Sequence, residues 1–304
     1  MQTLNSLGFA DRALTNAVKR TGDVAGLTNQ WLPLFMQFDS NHSYEKYKGV
    51  AYFPAATGFV DGKDAAEVNM TPQYTATITP TLFGALHTIT IQAMQTDQFG
   101  LFDNRAAELR KSMEYAKALF AANFIGGGFS ATTAADGVAL FSASHTNIGG
   151  GANYSSVDTA ASLSYISLES LSNVLVTQKD PTGRRMRYSG GTYLLVPREL
   201  ELRSRRILRS QQIAGSNNND VNVLVDTRGI ELLVSDCLGD SAGSTTQYIM
   251  VAKRKDATGL RWVDQVPITP KTFSGKMGEI TMSLQSSWAC AAVDAYGLAG
   301  NAGA

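Results

Sequence analysis

The spacing of apolar positions changes along the chain, and each spacing implies an element. Over 9–19, Leu14 and Val18 share one face of a short amphipathic helix. The cluster WLPLFMQF at 31–38, broken by Pro33, has to bury itself on the chain's own core or on a neighbouring molecule. From 74 to 79, Tyr74, Ala76 and Ile78 alternate with threonines, and over 88–93 Ile89, Ile91 and Ala93 alternate with Thr88, Thr90 and Gln92. Period two with β-branched residues marks strands. Their thinly apolar faces suit a ribbon lying on another surface.

The clearest helix spans 103–125, with Asp103 as N-cap and Phe102, Ala106, Leu109, Met113, Ala116, Phe120 and Phe124 forming one stripe. Arg105, Glu108, Arg110, Lys111, Glu114 and Lys117 fall off that stripe, and Gly126-Gly127-Gly128 stops the helix. A loop-rich stretch over 129–161 leads to a second helix at 163–178, with Leu163, Ile166, Leu171, Val174 and Leu175 inside. Asp180-Pro181-Thr182-Gly183 is a turn, 192–197 a buried strand, and Pro197 opens a third helix over 198–211 with Leu200, Ser204, Ile207 and Leu208 on one face. Residues 221–273 have the pattern of one small β-rich unit, 279–297 that of one or two strands, and the tail LAGNAGA is expected to be loose.

Composition narrows the function. Charged residues are 17% of 304, against roughly a quarter in ordinary globular domains. The formal net charge is zero, 26 basic against 26 acidic residues. A chain near zero charge tends to associate, which suits one whose surface is covered by copies of itself. The balance also speaks against a sequence-reading nucleic-acid binder. Cys237 and Cys290 make no C-x-x-C pair and fit two reduced, buried thiols. Neither a secretory signal nor a membrane span is expected.

Chemistry is sparse. His42, His87 and His145 have no metal-ligand spacing, and neither glycine run is followed by the Lys-Ser/Thr of a phosphate loop. Catalytic, cofactor-binding and metal-binding residues are therefore expected to be absent. Ser144 beside His145 is the only hint of a serine hydrolase, and triad members seldom adjoin in sequence. Arg184, Arg185, Arg187, Arg198, Arg203, Arg205, Arg206 and Arg209 crowd one stretch, interleaved with Glu199 and Glu201. Arginine is the preferred partner in interface ion pairs, so subunit pairing is favoured there over phosphate contact.

The order of parts is more telling than any single motif. DGVALFSASHTN (136–147) is followed by a helix, DPTG (180–183), YLLVPRELELRSRRILRS (193–210), a β unit and WACAAVD (288–294). From about Tyr44 onward this resembles the major capsid proteins of tailed bacteriophages with the Hong Kong 97-like fold, and looks closest to Mu-like major head subunits. The resemblance implies an α+β chain: an N-terminal arm (1–45), an extended β loop (46–98), a peripheral domain (99–211) with spine helix 103–125, a β-rich axial domain (212–275) and a C-terminal return (276–304). It further implies hexameric and pentameric capsomers, with scaffold, portal and decoration proteins as further partners. The icosahedral head, assembled in the bacterial host cytoplasm, would enclose double-stranded DNA. Trp31, Phe35, Asp61, Lys63, Asp64, Arg203, Arg205 and Arg206 are the candidates for inter-subunit contact. The rivals are an encapsulin-like cellular nanocompartment of the same fold and, from another class, the hydrolase.

Overall fold

The computed structural model describes residues 2–19, 25–50, 53, 55–58, 64, 67, 69, 71–90, 92–93, 105–148, 153–186, 188, 190–213, 220–224, 229–239, 245–253, 259–275 and 278–304. Two four-stranded sheets and the helices packed on them organise the body. The first sheet has the order β1 (Met36–Asp39), β8 (Leu260–Ser274), β9 (Ile280–Ala292), β4 (Thr81–Ile89); β1 runs parallel to β8 and the other pairs are antiparallel. In β9, Ile280, Met282, Leu284 and Trp288 alternate with Thr281, Ser283, Gln285 and Ser287, so one face is apolar. That face meets helices α1 (Gln2–Lys19) and α3 (Arg105–Gly126); the short helix α2 (Ala25–Thr28) also touches α3.

Rings fill this core. Trp262 lies 4.3 Å from Trp31, 5.7 Å from Phe35 and 5.9 Å from Phe120, and Phe83 stacks on Trp288 at 4.1 Å. Trp31 and Phe35, two of the inter-subunit candidates, are thus seated inside the chain's own core, 5% and 0% exposed. The aromatic cluster around Trp262 offers them more apolar contact than an outside surface would. Likewise α1, expected as part of a free arm, lies on this body with Leu14 fully buried.

The second sheet has the order β10 (Leu298–Asn301), β7 (Tyr248–Ala252), β5 (Thr192–Pro197), β6 (Ile230–Ser235), with β5 and β6 parallel. Helices α4 (Tyr165–Thr177) and α5 (Glu201–Arg209) pack against it. Leu194, Val196, Tyr248 and Met250 join Leu168, Leu171 and Leu175 in one core, while Leu195, Ile249 and Val251 enter the first. Cover on both faces is why these strands are near-continuous apolar runs. Residues 221–273 are therefore not one unit: β6 and β7 lie in the second sheet and β8 in the first.

Other expectations shift for local reasons. The tail is not loose, because β10 pairs with β7 and Leu298 and Ala299 are buried. The two alternating strands do not form one ribbon. The first, β3 (Pro72–Ile78), pairs with β2 (Glu45–Val50); the second begins earlier, at Thr81, and pairs with β9. The glycine run does not end the long helix abruptly: it passes through Gly126 into a 3₁₀ turn at Gly127–Phe129. There a Cβ on Gly128 would come within 2.7 Å of the Phe141 ring, so close packing explains that glycine better than a turn. The second run, 149–151, lies outside the described residues, as do Phe102 and the N-cap Asp103.

Helix α3 also departs from its single stripe. Arg110, Glu114 and Lys117 are buried although they lie off the apolar face, and α1 also contacts this helix. Arg110 pairs with Glu114 one turn on, and Lys117 Nζ reaches Asp264 Oδ1 at 2.9 Å while standing 5.2 Å over the Trp288 ring. Buried charges persist when paired in this way. In α4, Ser164 and Ser167 form a reciprocal capping box. Its face is rotated from expectation, with Leu168 buried and Ile166 76% exposed.

Candidate assembly surfaces

The β2–β3 ribbon leaves the body beside β8 and β9. Its base packs through Phe38 and Tyr47, 5.1 Å apart, near Val263 and Ala289. An amide clasp fixes it to the 144–148 loop: Gln73 Nε2 donates to the Ile148 carbonyl at 3.1 Å, and the Ile148 N–H donates to Gln73 Oε1 at 2.9 Å. Tyr74 Oη and Thr146 Oγ1 are 3.1 Å apart beside it. Beyond the base, every described residue of 53–71 is exposed, Asp64 and the 56%-exposed Phe53 among them. Asp61 and Lys63 lie outside the described residues.

Apolar side chains are exposed elsewhere too. Leu82 and Leu86 stand on the outer face of β4, 66% and 67% exposed, and Phe273 lies on β8 of the same sheet. β4 is an edge of its sheet, with β9 on only one side. On α5, Leu202 is 78% exposed among the arginines. Arg203, Arg205 and Arg206 all face solvent. Arg205, expected to reach a neighbour, ion-pairs within its own helix with Glu201 at 2.8 Å, a natural i,i+4 partner. Arg198 pairs with Glu201 and with Asp236.

The Ser144–His145 pairing does not form. His145 Nδ1 is 2.8 Å from Asp136 Oδ2, and Nε2 is 2.9 Å from Ser156 Oγ. His145 and Ser156 are both fully buried, so no substrate reaches them. The Ser156 hydroxyl lies 2.8 Å from the Leu140 carbonyl, to which it donates. The arrangement braces the loop, with Tyr154 stacked at 5.0 Å on the imidazole and Tyr296 at 4.1 Å on Tyr154. Burial alone would raise the Asp136 pKa, but hydrogen bonds from His145 and the Val138 N–H outweigh it and hold the carboxyl below its ordinary value. The motif DGVALFSASHTN thus spells a brace; its third member, Ser156, had no signal in sequence. Among the described residues no group of three or more His, Cys, Asp or Glu is placed to hold a metal ion, and no helix is long and apolar enough to cross a membrane. Cys237 is buried and Cys290 partly buried.

Beside the brace, between it and the ribbon base, lies a polar cleft of about 230 Å³ lined by Asp136, Asp180 and Asp294 among others. Burial pushes the Asp294 carboxyl up to about 6, against hydrogen bonding from the Tyr296 N–H and the nearby charge of Arg261. A raised folded-state value means that the folded chain keeps a proton the unfolded chain has released between about pH 4 and 6. Stability from this group is therefore present at low pH and lost as pH rises through about 6. Wild type is expected to gain about 1–3 kcal/mol from this group between pH 7.5 and 5.0. Urea melts of Asp294→Asn at the two pH values should lack that gain; an identical pH response in variant and wild type would exclude the assignment.

No curated protein matches the chain in sequence. Among solved structures it is similar to the capsid of the cyanophage P-SCSP1u, with TM-score 0.60 and 8% identity over 89% of this chain and 86% of that one. It is also similar to the capsid of an empty GTA particle, with TM-score 0.59 and 12% identity over 91% and 90%. A virus-like particle from Pyrococcus furiosus matches with TM-score 0.51 and 12% identity over 95% and 98%. At such identities these likenesses establish the fold. A family model described as phage capsid protein matches residues 73–301, well over half of the sequence, and the chain therefore belongs to the phage capsid protein family.

Proposed function

We propose that this chain is the major capsid protein of a tailed DNA virus, and that many copies form hexameric and pentameric capsomers of an icosahedral head enclosing double-stranded DNA. In this reading the chain is of the Mu-like head-subunit type. Helix α3 serves as the spine of the peripheral domain, residues 46–78 as the extended loop, and the β10-β7-β5-β6 sheet as the core of the axial domain. Scaffold, portal and decoration proteins are its further partners, and assembly takes place in the host cytoplasm. The observation that carries the reading, beside family membership, is apolar surface that the chain leaves without cover of its own: Leu82 and Leu86 on an edge strand, Phe53 on the ribbon and Leu202 on α5. Exposed apolar surface on an edge strand is a liability in a monomer and an interface in a shell. Asp61, Lys63, Asp64, Arg203 and Arg206 are the polar contacts we assign to neighbours.

The test is assembly. Purified protein, concentrated stepwise and followed by light scattering and electron microscopy, is expected to give rings or closed shells, and Leu82→Asp with Leu86→Asp is expected to abolish them without unfolding the subunit. A chain that stays monomeric at every concentration removes the proposal. Nuclease-protected DNA in particles from infected cells supports a viral head, whereas a co-purifying enzyme in place of DNA would favour the nanocompartment.

A further inference from the structure

The polar cleft has a composition that assembly geometry alone does not account for. Asp180 is 1% exposed and lines it. Oδ1 of Asp180 is fully used, accepting from the Thr182 N–H, the Thr182 hydroxyl and the Arg184 N–H, which closes the DPTG turn. Its other oxygen, Oδ2, is buried and has no hydrogen-bond partner among the described residues. A buried carboxylate oxygen left unpaired is costly and is usually answered by a donor. The cleft holds two more carboxylates, Asp136 and Asp294, and its walls include the rings of Tyr47, Tyr154 and Tyr296.

The polar groups already present leave acceptors over. His145 answers Asp136. Arg261 also lines the cleft and lies near Asp294, yet that carboxyl remains raised to about 6. Lys48, the other cation at the cleft, is exposed on the ribbon. A metal ion fits poorly, because the three carboxylates do not form a group able to hold one. A guanidinium fits better: it is planar and presents five donors to separated acceptors. A cavity of about 230 Å³ is large enough to admit the end of an arginine side chain.

We propose that this cleft is a receptor for a guanidinium group, with Asp180 Oδ2 as its principal acceptor and the tyrosine rings as its walls. The occupant we assign is an arginine of a second copy, which rests on the shell reading. Charge complementarity supports it, since Arg203 and Arg206 of α5 are exposed on every copy.

The probe is N-acetyl-arginine methylamide, titrated into unassembled subunit by calorimetry, with the uncharged citrulline analogue as control. Saturable binding of the arginine compound, no binding of the citrulline compound, and at least tenfold weaker binding to Asp180→Asn are expected. The asparagine keeps the Oδ1 acceptor, so the turn should survive; circular dichroism and an unchanged melting midpoint check this. Absence of binding to wild type, or equal binding to Asp180→Asn in a folded subunit, overturns the receptor. Titration into assembled particles then separates the sources. A site closed in particles and reopened on disassembly supports the neighbour's arginine. A site equally open in particles overturns that source and assigns the cleft to free guanidinium compounds. Because binding is read on the unassembled subunit, failure to form shells would defeat the shell reading without touching this measurement.

Discussion

Replacing Trp262 by alanine is expected to lower the unfolding free energy by about 3–5 kcal/mol, the range for emptying a large aromatic site in a close-packed core. Trp262 is fully buried and is the point at which three separate parts of the chain meet: Trp31 and Phe35 from the N-terminal segment, Phe120 from α3, and its own strand β8. These neighbours cannot all collapse into the hole, because each is anchored on a different element. Urea unfolding followed by circular dichroism measures the effect. Leu202→Ala, at a 78%-exposed position, is the control and should stay within about 0.5 kcal/mol of wild type. A loss under about 1 kcal/mol for Trp262→Ala would mean that the N-terminal segment does not pack on this body.

The second large effect belongs to His145. His145→Ala should cost about 3–5 kcal/mol, since it strands the 6%-exposed Asp136 carboxylate without its imidazole partner and breaks the contact with Ser156. Asp136 is held below its ordinary value, so its contribution is complete above about pH 4 and is lost only as pH falls through the lower folded value. The difference between wild type and His145→Ala should therefore persist at neutral pH and shrink in strong acid. Ser144→Ala, by contrast, removes only an exposed contact with Asn153 Nδ2 and should change little. A large loss from Ser144→Ala beside a small one from His145→Ala would reverse the assignment of the brace.

Much was legible without coordinates where one local pattern dominated. The period of α3, the Pro197 entry into the helix that follows β5, the DPTG turn with Gly183 at φ 82° and the two-face apolar run of β5 each follow from a few neighbouring residues. The candidate contacts were less legible. Trp31 and Phe35 looked available because an apolar cluster shows only that it must be buried, not on what. Arg205 was expected to contact a neighbour, and the Glu201 already visible one turn before it takes part of its guanidinium within the helix.

Local period and turn chemistry were enough to mark helices, strands and turns from sequence alone, and low charge pointed to a surface suited to association, while the α+β class came from the resemblance. Which strand lies beside which needed the tertiary structure. β1 pairs with β8 across more than two hundred residues, and β10 enters the second sheet although its residues, LAGN, have little strand character. The same holds for the Asp136–His145–Ser156 brace and for the burial of Arg110, Glu114 and Lys117. The physical reason is common to all of these. Backbone propensity acts between near neighbours, whereas burial, ion pairing and an unanswered carboxylate oxygen depend on groups that only chain closure brings within a few ångströms.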